Sequence, residues 1–152
     1  MREIDRILDK IESCIRESTY YPVETDRIEV KDLSSGEDWK ELYKSACAFL
    51  NADGGILIIG IKEKNKNYQL TGFNPDNEEK IKELAKKFTN EDQKPLDLQG
   101  YFPSIEIKEM LDKRVCLVFV EKLPEEMKYV YYNKEAYERR LTGDHKIDKH
   151  KL

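Results

Sequence analysis

Phe49-Leu-Asn-Ala-Asp-Gly-Gly-Ile-Leu-Ile-Ile-Gly-Ile-Lys-Glu63 is the stretch from which the fold of this chain is read. Its centre, residues 56–61, is a long apolar run in a sequence that is 38% charged, and it is rich in β-branched residues. A run of this kind between Gly and Lys boundaries predicts a central strand covered on both faces. Upstream, Trp39, Leu42, Tyr43, Ala46, Phe49 and Leu50 recur at helical spacing until Asn51-Ala-Asp-Gly-Gly55 ends the pattern. The spacing predicts a helix that turns sharply into the core strand, with Gly54-Gly55 supplying the backbone freedom.

Working outward, Arg27-Ile-Glu-Val-Lys-Asp-Leu33 alternates, which places Ile28 and Val30 on one face of a strand and Glu29 and Lys31 on the other. Ser34-Ser-Gly-Glu37 has the form of a capping box and fits the start of the helix that ends near Asn51. Residues 3–18 put Ile4, Ile7, Leu8, Ile11 and Ile15 on one stripe of an amphipathic helix, which packs on the sheet or on a second copy in a homodimer. Downstream, a polar turn over residues 62–67 and alternation over 68–73 predict a hairpin. Residues 78–88 read as a helix with Ile81, Leu84, Ala85 and Phe88 inward and lysines outward. Residues 100–109 and 114–120 read as a second hairpin, residues 129–140 as a short final one, and residues 141–152 as a basic tail. Two to three helices and about six strands make one α+β domain over residues 1–152, with a mixed, mainly antiparallel principal sheet.

At 152 residues the chain buries enough surface to stand without staples. Cys14, Cys47 and Cys116 are odd in number, far apart and set in apolar segments, so they read as core residues of a reducing compartment rather than a metal site. The charged N-terminus and the lack of a long apolar run predict no signal peptide and no membrane span, hence a cytoplasmic protein. A net charge of −4 excludes coating nucleic acid with the whole surface, because counterion release needs locally dense Lys and Arg. From Arg139 onward, five basic residues (Arg139, Arg140, Lys146, Lys149, Lys151) oppose Asp144 and Asp148, which makes that segment either a local patch or a solvated tail. Gly54-Gly55 lacks the glycine spacing of a phosphate-cradling loop, and His145 and His150 lie too late in the chain for an assigned role.

The order Glu24-x-x-x-x-Glu29-x-Lys31, a helix ending Ala-Phe-Leu-Asn51, Gly54-Gly55, the strand to Gly60-Ile-Lys-Glu63 and Thr-Gly72-Phe-Asn74 resembles the Schlafen AlbA-like (divergent AAA) domain. The likeness runs on through the helix at residues 78–88 and the strand at 114–120 to Glu135-Ala-Tyr137-Glu-Arg139-Arg140. That resemblance implies a Schlafen AlbA-like core that binds RNA or DNA. In Schlafen proteins proper it implies a metal-dependent endoribonuclease acting on structured RNA such as tRNA, with Mg²⁺ or Mn²⁺ as cofactor. The matching catalytic and metal-holding positions are Glu24, Glu29 and Glu63, the last standing where those relatives usually carry Asp.

Carboxylate-assisted phosphodiester hydrolysis needs two or three oxygen ligands converging on a divalent cation. Glu24 and Glu29 are an odd number of residues apart and face opposite sides of a continuous strand, so they share a cation only if the chain bends around residues 25–27. Lys31 shares a face with Glu29, and Lys62 precedes Glu63; with Tyr137, Arg139 and Arg140 they form the expected nucleic-acid contacts. Tyr129, Tyr131, Tyr132 and Tyr137 stack on bases or serve as half-buried packing. Three readings therefore stand: a nucleic-acid-binding module, a metal-dependent nuclease, and a non-catalytic assembly or nucleotide-binding regulatory module.

Overall fold

Residues 1–35, 38–148 and 152 are described by the computed structural model. In chain order they form α1 (Glu3–Glu17), β1 (Ile28–Lys31), α2 (Asp38–Asn51), β2 (Gly55–Ile59), β3 (Ile61–Glu63), β4 (Tyr68–Leu70) and α3 (Glu78–Lys82). Then follow β5 (Ser104–Met110), β6 (Lys113–Val120), β7 (Tyr137–Arg140) and β8 (Gly143–Lys146). The principal sheet has the order β1-β2-β6-β5 and is antiparallel except for the parallel β1–β2 pair. Two hairpins, β3–β4 and β7–β8, flank it.

The apolar run becomes an inner strand because its alternate residues serve two cores. Leu57 and Ile59 join Leu42, Ala46, Phe49 and Leu50 of α2 on one face. Ile58 joins Ile4, Leu8, Ile11 and Cys14 of α1 on the other, with Ile28, Val30, Val115 and Leu117. Each large side chain buried in this way contributes about 1.5–3 kcal/mol. The buried part of α1, Ile4, Leu8, Ile11 and Cys14, is thus spent on its own sheet, while Ile7 and Ile15 are only partly buried. Exposing the buried part to a second copy would strip one face of the core.

Gly54 makes the turn from α2 into β2. It adopts φ +76°, its N–H donates to the Phe49 carbonyl at 2.9 Å, and a Cβ there would stand 2.6 Å from the Val120 carbonyl oxygen. At the far end the expected single strand breaks: Gly60, at φ +114°, hands the chain from β2 to β3. Its carbonyl accepts from Thr71 and Gly72, each at 2.9 Å, so the β3–β4 hairpin hangs from the sheet and carries Lys62 and Glu63 away from it.

Two other expectations change. The helix expected over residues 78–88 is α3 alone, continued by 3₁₀ turns over Glu83–Lys86, although Ile81, Leu84, Ala85 and Phe88 are buried as expected. The final hairpin lies at β7–β8 instead of residues 129–140, where Tyr132 and Glu135 form only an isolated bridge. Part of the expected basic tail is therefore β8, and Ile147 beyond it is buried. Lys149, His150 and Lys151 lie outside the described residues, as does Glu37 of the expected capping box. The three cysteines are free and buried. Among the described residues, no helix is long and apolar enough to cross a membrane.

α2 also anchors the C-terminal third through one buried amide. Asn51 Nδ2 donates to the carbonyls of Val130 and Tyr137 at 2.9 and 2.8 Å, and Val130 N–H donates back to Asn51 Oδ1 at 2.9 Å. Those three bonds seat β7 against α2.

Candidate functional site

β1 is an edge strand with alternating burial: Ile28 and Val30 point into the α1 side, and Glu29 and Lys31 point to the opposite side. Just before it the chain makes a tight turn. Thr25 and Ile28 exchange backbone hydrogen bonds at 3.2 and 3.4 Å, and Arg27 N–H donates to Thr25 Oγ1 at 3.0 Å. That turn removes the odd-spacing objection. It folds Glu24 back alongside β1, where Glu24 Oε2 accepts from Val30 N–H at 3.0 Å.

Glu24, Glu29, Lys31, Lys62 and Glu63, widely separated in sequence, line one cleft of about 290 Å³. Asp32, Asp38 and Glu41 complete its polar wall. Six carboxyl groups against two lysines make the cleft strongly acidic. Burial, then the hydrogen bond and charge of Glu29, with Glu63 adding to them, push the Glu24 carboxyl up to about 8, although the Val30 N–H works in the opposite direction. Glu24 therefore holds its proton toward neutral pH, with Glu29 as its hydrogen-bond acceptor.

The other acids are held by cations or hydroxyls. Glu29 lies 2.7 Å from Arg139 Nη2 and 3.6 Å from Lys31 Nζ. Glu63 Oε2 accepts from the Tyr20 hydroxyl at 3.0 Å. The Tyr20 ring stacks on Tyr68 with centroids 5.2 Å apart, and burial together with Glu63 raises the Tyr20 phenol. The donor type suits a hard divalent cation. Among the described residues, however, no three His, Cys, Asp or Glu groups stand together in metal-ligating geometry. Glu24 and Glu29 are the residues that would hold such a cation, Glu24 giving up its proton, while Glu63 is engaged by Tyr20.

The expected nucleic-acid contacts divide. Lys31 and Lys62 line the cleft, and exposed Arg140 lies 3.4 Å from Glu138. Tyr137 and Arg139 are corrected: they are 8% and 6% exposed, too deep to stack on a base or meet a phosphate. Arg139 is drawn inward because Glu29 and Asp144 neutralise it. Tyr129, Tyr131 and Tyr132 are half-buried, and Tyr132 packs against Tyr43 with ring centroids 5.4 Å apart.

Sequence reasoning missed Tyr20, Asp32, Asp38, Glu41 and Asp144. Asp144 faces Arg139 across a hairpin closed by residues 141 and 142, a pairing that depends on a turn with no sequence signature. Tyr20 left no signal, because it sits in an irregular connector between α1 and β1.

A model of the family described as Schlafen, AlbA_2 matches residues 24–148. The N-terminal domain of an ATP-dependent DNA helicase RecG-related protein of Nitrosomonas europaea is similar in structure, with a TM-score of 0.61 and 20% identity over 99% of this chain and 97% of that one. The DIP2311 protein of Corynebacterium diphtheriae aligns with a TM-score of 0.53 and 15% identity over 92% of this chain and 31% of that one, so the chain spans about a third of its length. At these identities the likeness is one of α+β fold. No curated protein sequence matches the chain significantly.

Proposed function

The chain belongs to the Schlafen AlbA_2 family, and from that premise we propose that it binds nucleic acid, RNA or DNA, with a phosphodiester seated at the cleft between β1 and β3. The observation that carries this reading is the convergence of Glu24, Glu29, Glu63, Lys31 and Lys62 on one cavity. Electrostatics then sets a condition. A cleft this rich in carboxylates repels phosphate, so nucleic acid approaches it closely only with cation neutralisation.

A second reading, favoured by the hydrogen-bonded contact of Glu24 with Glu29, is a metal-dependent endoribonuclease that cuts structured RNA such as tRNA. A bound Mg²⁺ or Mn²⁺ would supply Lewis-acid activation of water and stabilise charge on the phosphorus centre. Glu24 and Glu29 would hold it, Glu24 giving up its proton on loading. Lys31, released from Glu29, would neutralise a phosphate oxygen, and Lys62 would steady the strand at the cleft rim.

The test is incubation of the purified protein with tRNA and with single- and double-stranded DNA, in Mn²⁺ or EDTA, beside Glu29→Gln. Metal-dependent cleavage lost in the variant establishes the nuclease and its substrate class. Intact nucleic acid that shifts on a gel, with affinity falling as salt rises, leaves the binding module alone. Neither cleavage nor a shift overturns both readings in favour of an assembly or regulatory role.

A further inference from the structure

Arg139 supports the cleft without lining it, its side chain being 1% exposed. Nη2 lies 2.7 Å from Glu29 Oε2 and donates to the carbonyls of Thr25 and Ile28 at 3.0 and 3.2 Å. Nη1 donates to Asp144 Oδ1 at 2.9 Å, and the guanidinium lies 5.3 Å from the centre of the Phe49 ring. Asp144 is steadied in turn by the Ser45 hydroxyl of α2, at 2.5 Å.

The two carbonyls that Arg139 grips are the two ends of the turn that lets Glu24 fold back beside Glu29. One planar guanidinium thus fixes the turn and one of the two acids at the same time. A lysine, with a compact ammonium in place of a rigid fork, cannot serve this set of acceptors together. Stability alone gives little reason for the arrangement, since apolar groups of similar volume replace buried ion pairs at no cost in many proteins.

We propose that Arg139 is the positioning residue of the cleft: from the C-terminal hairpin it fixes the Glu29 carboxylate and the 25–28 turn, sets the Glu24–Glu29 geometry, and touches no nucleic acid itself. The proposal rests on the cleft being the functional site. Its consequence is that β7 and β8, which supply no cleft-lining residue, are required for the cleft to work.

The test compares wild type with Arg139→Lys and Asp144→Asn in the full chain. The Val30 amide reports directly on Glu24, to which it is hydrogen-bonded. In Arg139→Lys its hydrogen exchange speeds up by about tenfold or more, while β2 and β6 amides keep their protection, because the opening is local. Mn²⁺ affinity by calorimetry falls by about tenfold and tRNA turnover by about 100-fold, the scale expected when a reacting group is displaced by about 1 Å. At Mn²⁺ concentrations that saturate both proteins, the tRNA affinity and its salt slope stay unchanged, because no phosphate contact is lost. Asp144→Asn keeps the guanidinium but loosens it, and reproduces the pattern at smaller amplitude; it decides the matter if Arg139→Lys does not fold.

Uniform loss of protection across the sheet, or unchanged exchange at Val30, overturns the proposal in favour of a purely structural role. A salt slope reduced by about one unit overturns it in favour of a phosphate contact. Wild-type protein that neither binds Mn²⁺ nor cuts tRNA overturns the nuclease reading, and one that also fails to shift nucleic acid overturns both, while the exchange at Val30 still decides whether Arg139 positions Glu24 and Glu29.

Discussion

Around β2 the contacts are apolar and shared: Leu57 and Ile59 meet side chains from α2 and β6, and Ile58 meets α1. Around the outward face of β1 the contacts are polar and individually assigned, with Arg139 on Glu29, Val30 N–H on Glu24 and Tyr20 on Glu63. In the first region a lost contact is one among many. In the second, each lost contact releases a particular carboxyl group. Global stability should therefore belong to the sheet interior and local geometry to the cleft, with the two separable by mutation.

The hardest strike at that division is Leu57→Ala. Leu57 is fully buried between α2 and β6, and its truncation should cost about 2–5 kcal/mol, read as a lower urea midpoint at unchanged m-value. A loss below about 1 kcal/mol would mean that the interior is not where the stability resides. Asn51→Ala comes next, at about 2–3 kcal/mol, because it leaves the Val130 N–H and the Tyr137 carbonyl buried without the Asn51 amide and leaves the Val130 carbonyl only the weak Cys47 thiol. Asn51 belongs to the interior by burial and to the cleft by consequence, since it seats the strand that bears Arg139. The variant should therefore also speed exchange at the Val30 amide, and a destabilised protein with Val30 protection intact would separate the two regions more cleanly than the geometry suggests.

Glu24→Gln probes the cleft through pH. The folded protein holds the Glu24 proton up to about pH 8, while the unfolded chain releases it near the ordinary glutamate value of about 4.3. Between those values the folded state binds more protons than the unfolded one, so wild-type stability falls as pH rises. The contribution is complete below about pH 4 and gone above about pH 8. Because the carboxyl is only part-buried, solvent screening limits the effect to about 1–2 kcal/mol. Thermal melts of wild type and Glu24→Gln should diverge between pH 5 and about pH 8, with the variant losing less. Parallel curves would mean that the folded protein does not hold the Glu24 proton by burial and by its Glu29 neighbour.

What the sequence disclosed follows the same division. The β2 run, the α2 periodicity and the alternation of Ile28, Glu29, Val30 and Lys31 were legible because apolar periodicity records which face is buried. Glu24, Glu29 and Glu63 came from the order of motifs, and the bend at residues 25–28 was legible only as a requirement. Arg139 was misread because a charged side chain is expected outside. Its burial depends on Glu29, 110 positions earlier, and on Asp144, and composition cannot reveal such a tertiary match. The β7–β8 hairpin was missed because Leu141-Thr142 is not a turn signature and Gly143-Asp-His-Lys146 carries no apolar alternation. The break after Ile59 hung on one glycine inside an otherwise continuous apolar run.

The smallest expected stability effect is the most informative about the third acid. Tyr20→Phe removes the hydroxyl that donates to Glu63 but keeps the ring stacked on Tyr68. Tyr68 itself stays fixed, its own hydroxyl donating to the Tyr21 carbonyl at 2.7 Å and accepting from Val23 N–H at 3.1 Å. The lost hydrogen bond is partly solvated, so stability should fall by no more than about 1 kcal/mol. Glu63, no longer engaged by the Tyr20 phenol and left with only the neighbouring Tyr68 hydroxyl, is less restrained from turning toward the Glu24–Glu29 pair. If it is a cation ligand, Mn²⁺ affinity measured by calorimetry should rise about two- to fivefold, a gain of roughly 0.4–1 kcal/mol from a carboxylate that no longer has to leave the Tyr20 donor. Unchanged affinity would exclude Glu63 from the cation shell and leave Glu24 and Glu29 as the only acids of the original three in contention. A fall in affinity would reverse the reading of Tyr20, making it the group that holds Glu63 where the cation needs it, and would extend to Glu63 the hydrogen-bonded support that Arg139 gives Glu29.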